Sequence, residues 1–119
     1  MPARRRTTSV IWRVRDRATF AQLRRQGRRA RSGPLTVTWL PGPSTQPPRV
    51  AYAISRAVGP AVVRNRIRRR LRALVAEHAG ELVPGAYLIG VSPAAANVSF
   101  ATLRSSLQAA SARVWEQHR

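Results

Sequence analysis

The stretch VVRNRIRRRLRAL, residues 62 to 74, constrains the fold more than any other part of this sequence. It places six arginines within nine residues, yet apolar residues recur wherever one face of a helix needs them. A disordered basic tail lacks such periodicity, so the pattern predicts a folded helix with a guanidinium-rich outer surface. At 100° per residue, the predicted core stripe spans about 120°. It consists of Val63, Ile67, Leu71, Leu74 and Val75.

Arg64 differs from the other arginines of this helix, because its direction falls inside the apolar arc. Its side chain must therefore leave by the start of the helix or reach across an edge of the core. Beside Asn65, a guanidinium in the first turn can offer several donors to one phosphate, and the positive end of the helix dipole favours the same anion. The helix thus predicts polyanion binding, with a solvated basic face as the alternative interpretation.

The overall charge indicates the class of partner. The chain carries a formal charge of +18 with only four acidic residues, so nucleic acid is the leading candidate. Four scattered acids are too few for the converging carboxylates of a two-metal nuclease, and the sequence has no glycine-rich phosphate loop and no nucleophile motif. We therefore expect neither catalytic residues nor a metal site on the protein, and any associated reaction is expected to belong to something that it binds.

Composition and length also bear on the expected compartment, with the cytoplasm as the default, and on the size of the folded unit. The chain has no cysteine, which excludes disulfides and thiolate metal sites. No apolar run approaches the roughly 20 residues of a membrane span, so a soluble, cytoplasmic protein is expected. Its 119 residues predict a single domain, expected to bind RNA, with residues 1–9 as a mobile basic tail.

The remaining elements follow from capping, alternation and chain-breaking residues. Helices are predicted at 16–26 and at 99–116, and the arginine-rich helix is predicted to end at residue 78 or 79. Strands are predicted at 35–39, 50–55 and 86–91. The first two strands suggest a hairpin with a long loop, and a further short strand could lie within 9–14. Arg28, Arg29 and Arg31 are expected in a loop. This order predicts an α+β fold with a single layer of sheet.

One face of the predicted sheet carries mostly small side chains. They are Thr36, Thr38, Ala51, Ala53, Ser55 and Gly90. A helix packed close against these residues would explain them, and so would an open floor for a ligand. The sequence leaves both interpretations open.

These features together resemble the protein subunit of bacterial ribonuclease P, the RNR-motif family. The matching block is RVAYAISRAVGPAVVRNRIRRRLR, residues 49–72, with supporting similarity in 13–27, in 86–93 and in the final helix. The resemblance implies a fold like the second domain of ribosomal protein S5, a mixed sheet with a left-handed βαβ crossover. It further implies that an RNA subunit performs catalysis with Mg²⁺ held mainly by RNA, and that the protein helps to bind precursor tRNA while its 5′ leader is removed.

The resemblance also implies two groups of site residues. The group expected to contact the catalytic RNA is Arg64, Asn65, Arg66, Arg68, Arg69 and Arg72. The group expected in a leader-binding cleft is Phe20, Thr36, Thr38, Ser55 and Arg56. In that cleft Phe20 would serve as a stacking platform and the hydroxyls as donors.

Two other classes of protein share part of this pattern. A structural ribosomal or other non-catalytic RNA-binding protein would share the charge. A cationic protein of membrane surfaces would share the Arg-rich amphipathic stretches and the three tryptophans, but the predicted strands and core stripe argue against it.

Overall fold

In the computed structural model, which describes residues 11–118 with side chains to residue 116, five strands form one mixed sheet that packs with three helices. The basic segment 1–9, expected to be mobile, lies outside the described residues. The strands are β1 (Trp12–Arg13), β2 (Arg28–Ser32), β3 (Leu35–Pro41), β4 (Arg49–Ile54) and β5 (Gly85–Val91). The helices are α1 (Arg17–Gln26), α2 (Ala61–Glu77) and α3 (Phe100–His118).

The strand order across the sheet is β1-β4-β5-β3-β2. Strand β4 runs parallel to β1 and β5, whereas β3 runs antiparallel to β5 and β2. Helix α2 connects the neighbouring parallel strands β4 and β5, which is the βαβ unit that the resemblance implies. The predicted α+β class with a single mixed sheet is confirmed.

The predicted hairpin of β3 and β4 is wrong, because β5 lies between these two strands. Their sequences showed correctly that they are strands but not which neighbours they have. Alternation specifies which face of a strand is buried, and it leaves the pairing partner to the rest of the chain. The Pro-rich segment 42–48 therefore spans the width of β5 instead of closing a turn between adjacent strands.

The predicted loop at Arg28, Arg29 and Arg31 is also wrong, because these residues belong to strand β2. A run of arginines carries little strand propensity, which is why the sequence suggested a loop. Pairing with β3 and burial of Ala30 form the strand instead. The turn between the two strands needs Gly33, whose φ of 54° is the left-handed conformation that glycine adopts without strain.

The helices lie close to their predicted positions. Asp16 caps α1 as expected, accepting a hydrogen bond from the backbone N–H of Thr19 at 2.9 Å. Ser99 caps α3 in the same way, accepting from the N–H of Thr102 at 3.1 Å. The short strand β1 lies inside the interval 9–14 where the sequence suggested one.

The main core lies between one face of the sheet and helices α2 and α3. From α2, the predicted stripe is buried at four positions and partly buried at Val63. Trp39 and Tyr87 are the largest buried side chains, and their rings stack with centroids 6.3 Å apart. A smaller cluster on the opposite face joins α1 to the sheet. No helix within residues 11–118 is long and apolar enough to span a membrane.

We predict that Asp16 makes the stability of the fold depend on acid. Hydrogen bonds from the Thr19 side chain and backbone lower the pKa of Asp16 below its ordinary value of 3.8. A carboxylate whose pKa is lower in the folded state stabilises that state fully above the unfolded pKa, and this contribution disappears as pH falls through the folded pKa. Asp16→Asn keeps a capping acceptor but removes the charge.

Urea unfolding of the wild type and of Asp16→Asn between pH 7 and pH 2 checks this prediction. The wild type should be the more stable protein near neutral pH, and the difference should shrink below about pH 4 as the carboxylate is protonated. A difference that stays constant over the whole range would contradict the assigned role of the charge.

Candidate RNA-binding surfaces

Helix α2 presents its polar residues on the side that faces away from the core. Ile67, Leu71, Leu74 and Val75 are at most 3% exposed, which fixes the rotation of the helix. The polar side chains then occupy the rest of its circumference, as the sequence predicted. Asn65, Arg69 and Arg72 are exposed, and Arg64, Arg66, Arg68 and Arg70 are partly exposed.

The side chain of Arg64 extends toward the start of the helix, which is one of the two directions expected from its position in the apolar arc. Its Nε donates a hydrogen bond of 3.1 Å to the carbonyl oxygen of Gly59, just before the helix. One turn further along, Arg68 donates through Nη1 to the Oδ1 of Asn65 at 2.9 Å. These two bonds restrain guanidinium groups while leaving most of their donors available to a ligand.

Within the described residues, no ion pair neutralises the arginines of α2. The part of the chain that the structure describes forms two ion pairs, Arg49 with Asp16 and Arg104 with Glu77, and neither uses an arginine of α2. In addition, the Nε of Arg66 is buried and has no hydrogen-bond partner among residues 11–118. Unpaired guanidinium groups at this density favour a polyanionic ligand.

A cleft lies on the other face of the sheet, at the edge formed by β2. On this face, the register of β2, β3, β5 and β4 aligns side chains in two rows that run across the strands, with one residue from each strand in each row. The outer row is Arg31, Thr36, Gly90 and Ala53, and the inner row is Arg29, Thr38, Leu88 and Ala51. Six of these residues line a cavity of about 400 Å³: Arg29, Arg31, Thr36, Thr38, Leu88 and Gly90.

Helix α1 covers the inner part of this face and leaves the outer part open. Its residues Phe20 and Leu23 pack with Ala51 and Ala86. At the end of α1, a Cβ added to Gly27 would lie 2.5 Å from the Thr38 side chain, so only glycine permits this close approach. The two interpretations of the small side chains therefore apply to different parts of one face: a helix covers one part, and the other forms the floor of the cleft.

The structure brings together some of the predicted leader-binding residues. Thr36 and Thr38 line the cleft, although Thr38 is only 4% exposed. Phe20 is half-buried in the cluster beneath α1. Ser55 and Arg56 are exposed just after β4, and the structure does not place them among the residues that line this cavity.

The cleft also contains Arg29 and Arg31, which sequence reasoning placed in a loop and did not assign to any site. Both lie directly opposite the threonines of β3 in the register of the β2-β3 pair. The sequence did contain a signal for a strand here: two arginines two residues apart precede a Gly-Pro turn, and a strand with alternating side chains follows that turn. These side chains give the open floor a positively charged rim.

No group of three or more His, Cys, Asp or Glu residues within 11–118 is arranged to hold a metal ion. What both surfaces offer a ligand is positive charge and, in the cleft, an open floor. Guanidinium groups can bind phosphate oxygens, and the small residues of the floor allow a flexible strand to lie close to the backbone.

We predict that Arg31 contributes directly to the binding of single-stranded RNA. Arg31→Gln should weaken binding of a short oligoribonucleotide and lower the slope of log affinity against log salt by about 0.7, the contribution of one phosphate contact with a single strand. Arg104→Gln removes the same charge from α3, which packs on the other face of the sheet, and should leave this slope unchanged. Equal effects of the two variants would show that only net charge matters.

Comparison with known proteins supports the resemblance seen in the sequence. The sequence pattern of the family described as Ribonuclease P matches residues 10–115. A ribonuclease P protein component from Nocardioides sp. is 46% identical over 110 residues, which cover 89% of this chain and 93% of the relative. The corresponding protein of Streptomyces bikiniensis is 40% identical over 86% of this chain and 90% of its own length.

Solved structures share the fold at lower sequence identity. The RNase P protein of Staphylococcus aureus superimposes with a TM-score of 0.76 at 18% identity, covering 91% of this chain and 95% of that one. The RNase P protein of Thermotoga maritima gives a TM-score of 0.72 at 20% identity, covering 82% and 92%. With its sequence matched over most of its length, this chain belongs to the ribonuclease P protein family.

Proposed function

We propose that this chain is the protein subunit of a ribonuclease P that removes the 5′ leader of precursor tRNA. The match to ribonuclease P protein components over nearly their whole length carries this proposal. The two basic surfaces support it, since an enzyme that binds both its own RNA and a single-stranded leader needs two kinds of contact. The same match disfavours a structural ribosomal protein.

Catalysis in this proposal belongs to the RNA subunit. The protein has four acidic residues, and Asp16 and Glu77 are already held by arginines. Mg²⁺, held mainly by RNA, would polarise phosphoryl oxygens and activate water. The protein contributes positive charge that replaces condensed cations around the two RNAs, so it should reduce the Mg²⁺ concentration that their association requires.

Helix α2 is the proposed contact with the catalytic RNA. Its arginines spread over several directions instead of forming a narrow stripe, which suits the backbone of a folded RNA better than a single groove. Guanidinium groups bind phosphates without reading sequence, so this surface would position the RNA through its shape. The positive end of the helix dipole, near Arg64, adds to the attraction for phosphate.

The cleft beside α1 is the proposed site for the leader. An unpaired strand can lie on the floor at Gly90, with its phosphates near Arg29 and Arg31 and the partly exposed Thr36 hydroxyl available as a donor. Because precursor tRNA is processed where it is transcribed in bacteria, this function implies that the protein acts in the cytoplasm.

Reconstitution with a bacterial ribonuclease P RNA tests the proposed function. At low Mg²⁺ the wild-type protein should stimulate cleavage of precursor tRNA at the 5′ end of the mature sequence. Arg69→Gln/Arg72→Gln should lose most of this stimulation, whereas Arg15→Gln/Arg17→Gln, which removes the same charge at exposed positions that line neither surface, should retain it. Absence of stimulation by the wild type would refute the proposal.

A second prediction concerns the leader cleft alone. A Cβ built at Gly90 meets no atom closer than 3.8 Å, so Gly90→Val should fold while filling the floor. We expect the reconstituted enzyme to bind precursor tRNA about tenfold more weakly, equivalent to about 1.4 kcal/mol. Its affinity for mature tRNA, which has no leader, should not change.

Gly80→Val is the matched control for this substitution. Gly80 follows α2 with no atom within 4 Å of an added Cβ, and it does not line the cleft. Equal weakening by both variants, or equal loss of affinity for mature tRNA, would contradict the placement of the leader.

A further inference from the structure

A second concave surface lies at the opposite edge of the sheet from the leader cleft. This edge groove has a volume of about 390 Å³ and runs between β1, the edge of β4 and helix α2. Five of its lining residues carry aromatic or cationic chemistry: Trp12, Arg13, Tyr52, Arg68 and Arg72. The strand order separates it from the cleft, since β1 and β2 are the two outermost strands.

The groove exists because β1 is much shorter than its neighbour. Strand β1 pairs only with Arg49 and Val50, whereas β4 continues to Ile54. Beyond Val50, no strand within the described residues pairs with this side of β4. Helix α2 passes behind the open edge and contributes Arg68, Arg72 and Ala76 to the wall.

The lining of the groove combines an aromatic surface with unneutralised charge. Trp12 is 48% exposed, unusual for the largest apolar side chain, and an exposed aromatic beside cations is typical of a binding surface. Among the described residues, no acidic side chain lines the groove. Its three arginines have no ion-pair partner within residues 11–118.

Tyr52 adds a neutral hydroxyl to this lining. Burial raises the pKa of Tyr52 to about 12, although the nearby charge of Arg72 lowers it. The phenol therefore keeps its proton at physiological pH and can act as a hydrogen-bond donor. A flat aromatic surface, a neutral donor and guanidinium groups are together the chemistry that recognises a nucleotide.

We propose that the edge groove binds one unpaired nucleotide of the RNA held by α2, with its base against the indole of Trp12 and its phosphate at Arg68 and Arg72. A paired base is stacked on both faces and cannot enter, so the nucleotide must come from a loop, bulge or end. The identity of that RNA as the ribonuclease P RNA rests on the proposed function. The groove itself is defined by the protein alone.

Binding of ribonuclease P RNA by the wild type and by variants over a series of salt concentrations tests the site. Trp12→Ala should weaken binding by about 5- to 150-fold, the range for stacking of one base on an aromatic side chain, without changing the salt slope. Trp12→Phe keeps a ring and should lose much less. Arg72→Gln should lower the slope, since it removes a phosphate contact.

Two outcomes of this series would overturn the proposal. Binding by Trp12→Ala equal to that of the wild type would show that the indole contacts no base. Weaker binding together with a lower salt slope would show that Trp12 only supports the arginines. Circular dichroism and thermal unfolding of each variant identify any loss caused by misfolding.

A second measurement keeps the proposal testable if Trp12→Ala fails to fold. Wild-type protein is titrated with two short single-stranded oligoribonucleotides of equal length and charge, one with adenine bases and one abasic. The base-bearing strand should bind more tightly and quench tryptophan fluorescence, and this quenching should be lost in Trp12→Phe. Equal affinity for both strands, or quenching that persists in Trp12→Phe, would overturn the proposal.

These measurements are separable from the test of the proposed function. If cleavage is stimulated but the two oligonucleotides bind equally, the edge groove is refuted while the function stands. If base-dependent quenching occurs but cleavage is not stimulated, the groove binds nucleotides and the assigned RNA is wrong.

Discussion

The alternation of side chains along the three central strands is the constraint on which the rest of this structure depends. Strands β3, β4 and β5 send bulky residues to one face, where α2 and α3 bury them, and mostly small residues to the other. A slip of one residue in either pairing would exchange these faces. Both the position of α2 and the open floor beside α1 follow from this one register.

The second determinant is positive charge, which the fold places on several surfaces without pairing most of it with acidic residues among 11–118. Arginines line the outer side of α2, the rim of the cleft and the edge groove, and the ion pairs within residues 11–118 involve other arginines. The isolated protein therefore repels itself, and RNA that binds the folded state should stabilise it by mass action. Recognition and stability are coupled in such a protein, because the ligand supplies the missing negative charge.

The parts of the structure that the sequence predicted are those that local rules determine. The stripe of α2, the Asp16 cap and the direction of Arg64 all follow from helical geometry within a few residues. The partners of each strand do not, since β5 separates β3 from β4 although it lies far away in the sequence. The edge strand β2 was missed because tertiary pairing overrides the low strand propensity of its arginines.

The same division applies to the candidate sites. The arginines of α2 could be predicted because one helix carries them all. Arg29 and Arg31 join the cleft only through their register with β3, and the edge groove joins residues from β1, β4 and α2. No pattern in the linear sequence states that β1 stops after two residues, and this early stop is what opens the groove.

Strand β2 illustrates how one arrangement can meet two unrelated demands. It is the outermost strand on its side of the sheet, and an exposed edge of this kind invites pairing with a second copy of the chain. Its sequence RRARS opposes that pairing through electrostatic repulsion between like charges, while Arg113 of α3 donates to the carbonyl oxygen of Arg31 at 2.6 Å. The charges that suit the cleft to RNA thus also protect the unbound protein from edge-to-edge aggregation.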